Sequence, residues 1–177
     1  MAGDYHMTTP WRHIVRLDEI TQRGLTCTLA PDSVVCAQLA RQLNIVSLDA
    51  LEARLVVTQW FDGAEVHGQW SAKVAQACVV TLEPLTSSLM GEFVVRVVPA
   101  GSIHAPDENS LSELDPEADD PPDVSETGEF DLAGYVIEHL ALEIDPYPRK
   151  PGAEFTPPED PTETSPFAVL KVLKKDT

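Results

Sequence analysis

Apolar and polar positions alternate most regularly between residues 51 and 74. Leu51, Ala53, Leu55 and Val57 occupy every second position, and Val66, Trp70, Ala72 and Val74 repeat the pattern after Asp62-Gly63. Strict alternation predicts a strand with one buried face. An Asp-Gly pair between two such runs predicts a two-residue type I′ turn, because both central residues need positive φ. That turn would set Phe61 opposite Ala64, Leu55 opposite Trp70 and Leu51 opposite Val74. One face is then apolar. The other pairs Glu52 with Lys73, Arg54 with Ser71 and Thr58 with His67. A one-residue slip would mix the faces, so the agreement supports the hairpin.

Shorter patterns fill in the rest. Trp11–Leu17 reads as a first strand, with His13, Val15 and Leu17 on one side, and Gly24–Ala30 as a second. Pro31–Leu43 reads as a helix with Val34, Val35, Leu39 and Leu43 in an apolar stripe. Pro31 suits its first turn, and Asn44 a left-handed cap after it. Val74–Leu82 and Leu89–Val98 read as further strands joined through Pro84 and Ser87-Ser88. In the latter, Phe93, Val95 and Val97 face inward. Asp131–Ile144 reads as an amphipathic helix. Asp131 is its cap, Phe130 and Tyr135 can form a hydrophobic staple, and Leu132, Val136 and Leu140 lie on one stripe. Pro166–Lys175 reads as a short terminal helix. The expected fold is α+β: an antiparallel sheet of four to six strands around a long central hairpin, with two main helices.

Charge changes this picture in one place. The 177 residues carry 12 basic and 29 acidic side chains, a net charge of -17. Residues 97–148 contain 14 of the acidic residues and no Lys or Arg. Residues 1–96 stand at -3 and residues 149–177 at zero. Within the acidic block, residues 100–129 hold four prolines and few large apolar groups. Such a stretch cannot bury enough surface to offset the entropy of ordering it, so it is read as a disordered acidic loop. The expected organisation is a flexible N-terminus over 1–10 and a single domain built from 11–99 and 130–177, with the loop between them. A generic polyanion-binding surface is excluded, because it needs many Lys and Arg to displace phosphate counterions. No apolar run reaches the ~18 residues of a membrane span. The start lacks the basic and apolar regions of a secretory signal. Three cysteines cannot make a closed disulfide framework, which suggests a reducing compartment.

Candidate chemistry is sparse. Cys27, Cys36 and Cys78 lack the close spacing of structural zinc ligands, and the five histidines show no ligand pattern, so no metal and no cofactor is expected. Cys78 is expected in a buried strand. There is no nucleophile elbow, phosphate loop or HExxH motif, so no enzymatic activity is expected. The basic residues that could form a local RNA-binding patch are Arg54 and Lys73 on the polar hairpin face and Arg149-Lys150 after the second helix. Lys171, Lys174 and Lys175 at the end of the chain complete the set.

Three segments together resemble the YceD family of large ribosomal RNA subunit accumulation proteins, in its alphaproteobacterial form. They are Gln76-Ala77-Cys78-Val79-Val80-Thr81-Leu82-Glu83-Pro84, followed by Glu92-Phe93; Asp131-Leu132-Ala133-Gly134-Tyr135, running to Asp145-Pro146-Tyr147-Pro148; and Ser165-Pro166-Phe167-Ala168-Val169-Leu170, followed by lysines. The resemblance covers roughly residues 10–175. Cys78, Thr81, Pro84, Asp131, Leu132, Pro146, Pro148, Pro166 and Phe167 match the family pattern and have structural explanations. Gln76 and Glu83 are the surface-contact candidates. Relatives with paired cysteines near Cys78 have no counterpart here, so no metal role is carried over. The resemblance implies a non-enzymatic role in the synthesis, processing or accumulation of large-subunit (23S) ribosomal RNA, in the bacterial cytoplasm or a plastid. The implied partner is that RNA or its precursor, or a basic ribosomal protein held by the acidic loop. No membrane partner is implied, and a monomer is favoured.

Overall fold

In a computed structural model, which describes residues 10–106 and 120–154, the central hairpin is longer than its alternation suggests. Strand β3 runs Ser47–Trp60 and strand β4 Gly63–Ala77. A third long strand, β5, runs Pro84–Pro99 and pairs with β4 along its whole length. Short strands β1 (Ile14–Arg16), β2 (Leu25–Leu29), β6 (Asp123–Ser125) and β7 (Glu129–Asp131) surround them. Helix α1 is Ser33–Gln42 and helix α2 is Leu132–Glu143. The main sheet has the order β2-β3-β4-β5-β6, and β1 pairs separately with β7. The α+β architecture is the expected one. It departs from a purely antiparallel sheet at β5–β6, which pair in parallel.

The hairpin register differs from the expected one. Trp60 pairs with Gly63, Ala53 with Trp70, Leu55 with Gly68 and Arg54 with Gln69. The loop is therefore Phe61-Asp62, and the left-handed residue is Phe61, at φ 50. Gly63 is needed for another reason: a Cβ there would run into the backbone carbonyl of Val97 on β5. Moving the turn by one residue moves every cross-strand partner by two. Both faces therefore keep their membership, and the apolar pattern cannot distinguish the two registers. A bulge between Leu48 and Ala50 lets β3 begin at Ser47.

Other boundaries shift as well. The strand expected over Trp11–Leu17 is only Ile14–Arg16, and Leu17 begins a 3-10 turn that runs to Glu19. The strand expected over Val74–Leu82 ends at Ala77, and residues 78–83 form a turn into β5. Pro84 and Ser87-Ser88 thus lie inside β5, with Pro84 as its first residue, where a missing N–H is tolerated. Helix α1 starts two residues later than expected. Asp32 is the cap, accepting N–H groups from Val34 and Val35 at 2.9 Å, so Pro31 precedes the helix. Its buried stripe is Cys36, Leu39 and Ala40, while Val34 is exposed. Asn44 is left-handed at φ 54, and Ile45 N–H returns to the Ala40 carbonyl at 3.0 Å, closing the helix as expected. The loop read as disordered over 100–129 includes β6 and the chain leading into β7. Its residues 107–119 lie outside the described residues, as do residues 1–9 and the helix expected over Pro166–Lys175.

Both helices pack on the same side of the sheet. Leu39 of α1 and Leu132, Val136 and Leu140 of α2 are fully buried with Leu55, Val57, Val66 and Val97 in one core. Asp131 caps α2 by accepting Ala133 N–H at 3.1 Å, and it also accepts His13 N–H at 2.8 Å, tying the β1 end to the helix. Gly68 leaves room for the Phe93 ring, which lies where a Cβ would stand, and His139 of α2 stacks on Phe93 at 4.3 Å. The opposite sheet face, with Glu52, Arg54, Gln69, Ser71 and Lys73, is open to solvent. This is the one-sided burial that alternation dictates for an antiparallel sheet.

Candidate functional site

The β4–β5 turn joins two motifs that are far apart in sequence. Cys78 N–H donates to the Glu83 carbonyl at 2.8 Å and Leu82 N–H to the Cys78 carbonyl at 2.9 Å, which closes the turn. Leu82 is left-handed at φ 60 and points outward, 79% exposed. The segment after α2 then locks on from outside. Gln76 donates its side-chain amide to the Asp145 carbonyl at 2.7 Å, and Val79 N–H donates to the Pro148 carbonyl at 2.9 Å. Lys150 donates its backbone N–H to Cys78 Sγ at 3.3 Å and pairs through Nζ with Glu83 at 2.6 Å. Val79, Leu82 and Tyr147 are left exposed around this knuckle, with Arg149 beside them.

Cys78 is the pin of the knuckle. It is fully buried, as expected, but begins the turn rather than lying in a strand. Hydrogen bonding by the Thr81 side chain, then by the backbone N–H groups of Lys150, Thr81 and Val80, draws its thiol down to about 6, against the opposing effect of burial. Burial instead pushes the Cys27 and Cys36 thiols up. The folded Cys78 therefore loses its proton at lower pH than the unfolded chain does. Its stabilising contribution is complete above the ordinary value of 9.0 and is lost as pH falls through about 6. Denaturation midpoints should rise across that window in the wild type, and this component of the rise should vanish in Cys78→Ser. Identical pH profiles for the two proteins would contradict the assignment.

The basic candidates do not converge. Arg54 and Lys73 share the solvent face, but Arg54 pairs with Gln69, four residues along β4 from Lys73, or about 13 Å. Arg149 and Lys150 lie at the knuckle, beyond the end of β4. Lys150 and Glu83 neutralise each other: the Lys150 ammonium holds the Glu83 carboxyl below its usual range, and Glu83 raises Lys150. Gln76 is buried and committed to Asp145, which removes it as a surface contact. Among the matching positions, Thr81 and Glu83 are exposed in the turn, and Pro146 and Pro148 shape the segment that clasps it. Leu132 is core and Asp131 is the α2 cap. Lys171, Lys174, Lys175, Pro166 and Phe167 lie outside the described residues. Among the described residues, no three His, Cys, Asp or Glu are grouped to hold a metal, and no helix is long and apolar enough to cross a membrane.

The second cluster was not foreseen. At the β3–β4 tip, Phe61 stacks on His104 at 4.0 Å and meets Trp60 edge-on at 4.7 Å, and Arg96 lies 5.3 Å over the Trp60 ring. Two aromatics beside Asp62-Gly63 were the available signal, since turn chemistry alone favours small polar residues there. His104 could not be placed, because it falls in the stretch read as disordered.

Residues 66–174 match the family model described as large ribosomal RNA subunit accumulation protein YceD. The chain belongs to the YceD family. The match begins within β4 and takes in the knuckle, the acidic segment and α2, while β1, β2, α1 and all of β3 precede it. No curated protein and no solved structure shows a significant match. The YceD knuckle is where the first two of the three motif segments meet.

Proposed function

We propose that this YceD-family protein supports accumulation of large-subunit ribosomal RNA in the bacterial cytoplasm by contacting the precursor RNA, without catalysing a reaction. The family match over residues 66–174 is the observation that carries this reading. Direct contact is supported by the knuckle, where exposed Tyr147 offers a ring for stacking and Arg149 a planar cation for phosphate. The chain runs on from Arg149-Lys150 to Lys171, Lys174 and Lys175 without another basic residue. Strong repulsion by the acidic segment requires that contact be local, and the near-neutral remainder of the chain permits this.

In-cell crosslinking with identification of bound RNA and protein tests the proposal. Large-subunit precursor RNA should be enriched, and the enrichment should fall several-fold in a variant combining Arg149→Glu with Lys171→Glu, Lys174→Glu and Lys175→Glu. Absence of that RNA from the wild-type crosslinks overturns the reading. If a basic ribosomal protein is recovered in its place, and is lost on deleting residues 107–119, the acidic segment acts as an escort. That deletion spares β6, which a longer one would remove.

A further inference from the structure

The solvent face of the sheet is not uniformly polar. Near its middle, Arg54, Val56, His67, Gln69, Glu92 and Val94 surround a depression of about 580 Å³. The register explains the grouping: Arg54 lies opposite Gln69, Val56 opposite His67, and Val94 opposite His67 from the other side. Val94 is 51% exposed, an apolar floor among groups that donate and accept hydrogen bonds. Six residues farther along β3, about 20 Å away, stands Trp60, and next to it the Phe61–His104 stack. Arg96 and Glu65 fill the interval. Glu65 accepts from Arg96 at 2.9 Å and contacts His67 at 2.8 Å, so its charge is matched within the face.

The tip is built at a conformational cost. Phe61 takes a left-handed backbone, which a bulky residue disfavours, and the residue is still 62% exposed. Strain combined with exposure of an aromatic is hard to assign to packing. Ser102 donates to Asp62 at 2.9 Å and holds residues 102–104 against the tip, so the His104–Phe61 stack is backed.

We propose that this face, from the Arg54/Gln69 depression to the Trp60/Phe61 tip, binds about three nucleotides of single-stranded RNA. The inference rests on the RNA-contact reading above and adds to the knuckle a second surface, at the other end of β4. The chemistry selects the ligand. Flat rings stack on bases of any sequence, and Arg54 and Gln69 suit base edges and phosphate. A protein of charge -17 cannot rely on counterion release, whereas stacking does not require it. Along the strands, Arg54, Lys73 and Arg96 balance Glu52, Glu65 and Glu92, and Asp62 in the tip loop leaves the whole surface at only -1, so the strand would meet little net repulsion there. A duplex hides its base faces and is not accommodated.

The test is fluorescence anisotropy with the full chain and a labelled single-stranded fragment of large-subunit precursor RNA, alone and as a duplex. Phe61→Asn removes the ring while suiting the left-handed turn, and Arg54→Gln keeps a polar group in the depression. Each should weaken single-strand binding about 5-fold or more, with thermal stability unchanged or higher for Phe61→Asn. The wild-type salt dependence should be shallow, with a log–log slope no steeper than about -1.5 for two arginines. Wild-type binding left intact by both substitutions overturns the proposed surface but not RNA contact. No wild-type binding overturns both. Equal affinity for the duplex overturns base stacking as the mode of recognition.

Discussion

Leu140→Ala is expected to lower the unfolding free energy by about 3 kcal/mol and the melting temperature by roughly 10 °C. Leu140 is fully buried, with Leu132 and Val136 on the same stripe of α2. Truncation leaves a cavity that the surrounding strands cannot close, because α2 is fixed at both ends. Asp131 caps its start and binds His13, and Gln76 holds the Asp145 carbonyl just past its end. The matched control is Leu142→Ala two residues on. Leu142 is 76% exposed, so its loss should change stability by less than about 0.5 kcal/mol. Equal effects at the two positions, measured by urea denaturation, would mean that α2 presents a different face to the sheet.

The second large effect is expected at Gly63. Alanine there places a Cβ against the Val97 carbonyl, and neither partner is the end of a flexible side chain. Relief requires β4 and β5 to part at the tip, with a cost of about 2–3 kcal/mol. Because Ala64 pairs with Val97 and Glu65 with Arg96, the displacement should also move Arg96 from the Trp60 ring. Gly63→Ala should therefore reduce Trp60 emission changes on RNA addition as well as stability. Phe61→Asn supplies the contrast. It tolerates positive φ better and can gain stability while losing the ring. If Gly63→Ala proves as stable as the wild type, the close approach of β4 to β5 is wrong.

These two substitutions mark different limits of inference from sequence. The stripe of Leu132, Val136 and Leu140 was legible because helical spacing and a preceding Asp act within one or two turns of chain. The same locality made Asn44 legible as a helix stop. Gly63 was legible only as part of a turn. Its actual constraint comes from Val97, more than thirty residues later. Asp62-Gly63 therefore suggested the right hairpin with the wrong register, and alternation could not correct an error that preserves parity.

The knuckle shows the same division. Gln76 and Glu83 read as surface contacts among the family-motif positions, yet the Gln76 amide is spent on Asp145, and Glu83 is occupied by Lys150. No local rule links residues 76–83 to 145–150. They meet because α2 returns across the sheet and delivers its last residues to the β4–β5 turn. The depression at Arg54 arises in a comparable way, from cross-strand neighbours contributed by three strands.

By itself the sequence determined the α+β class, the hairpin, both helices, the Asn44 stop of the first, the Asp131 cap of the second and the segregation of charge into residues 97–148, all of which follow from short-range periodicity and composition. Tertiary structure alone decided the strand register, the mixed edge of the sheet, the burial of Gln76, the place of Cys78 in the turn, and the meeting of Trp60, Phe61, Arg96 and His104. The physical reason is that a pairing partner is chosen by the whole packed core. Spacing along the chain sets which face a side chain occupies, but only the folded sheet sets what stands beside it.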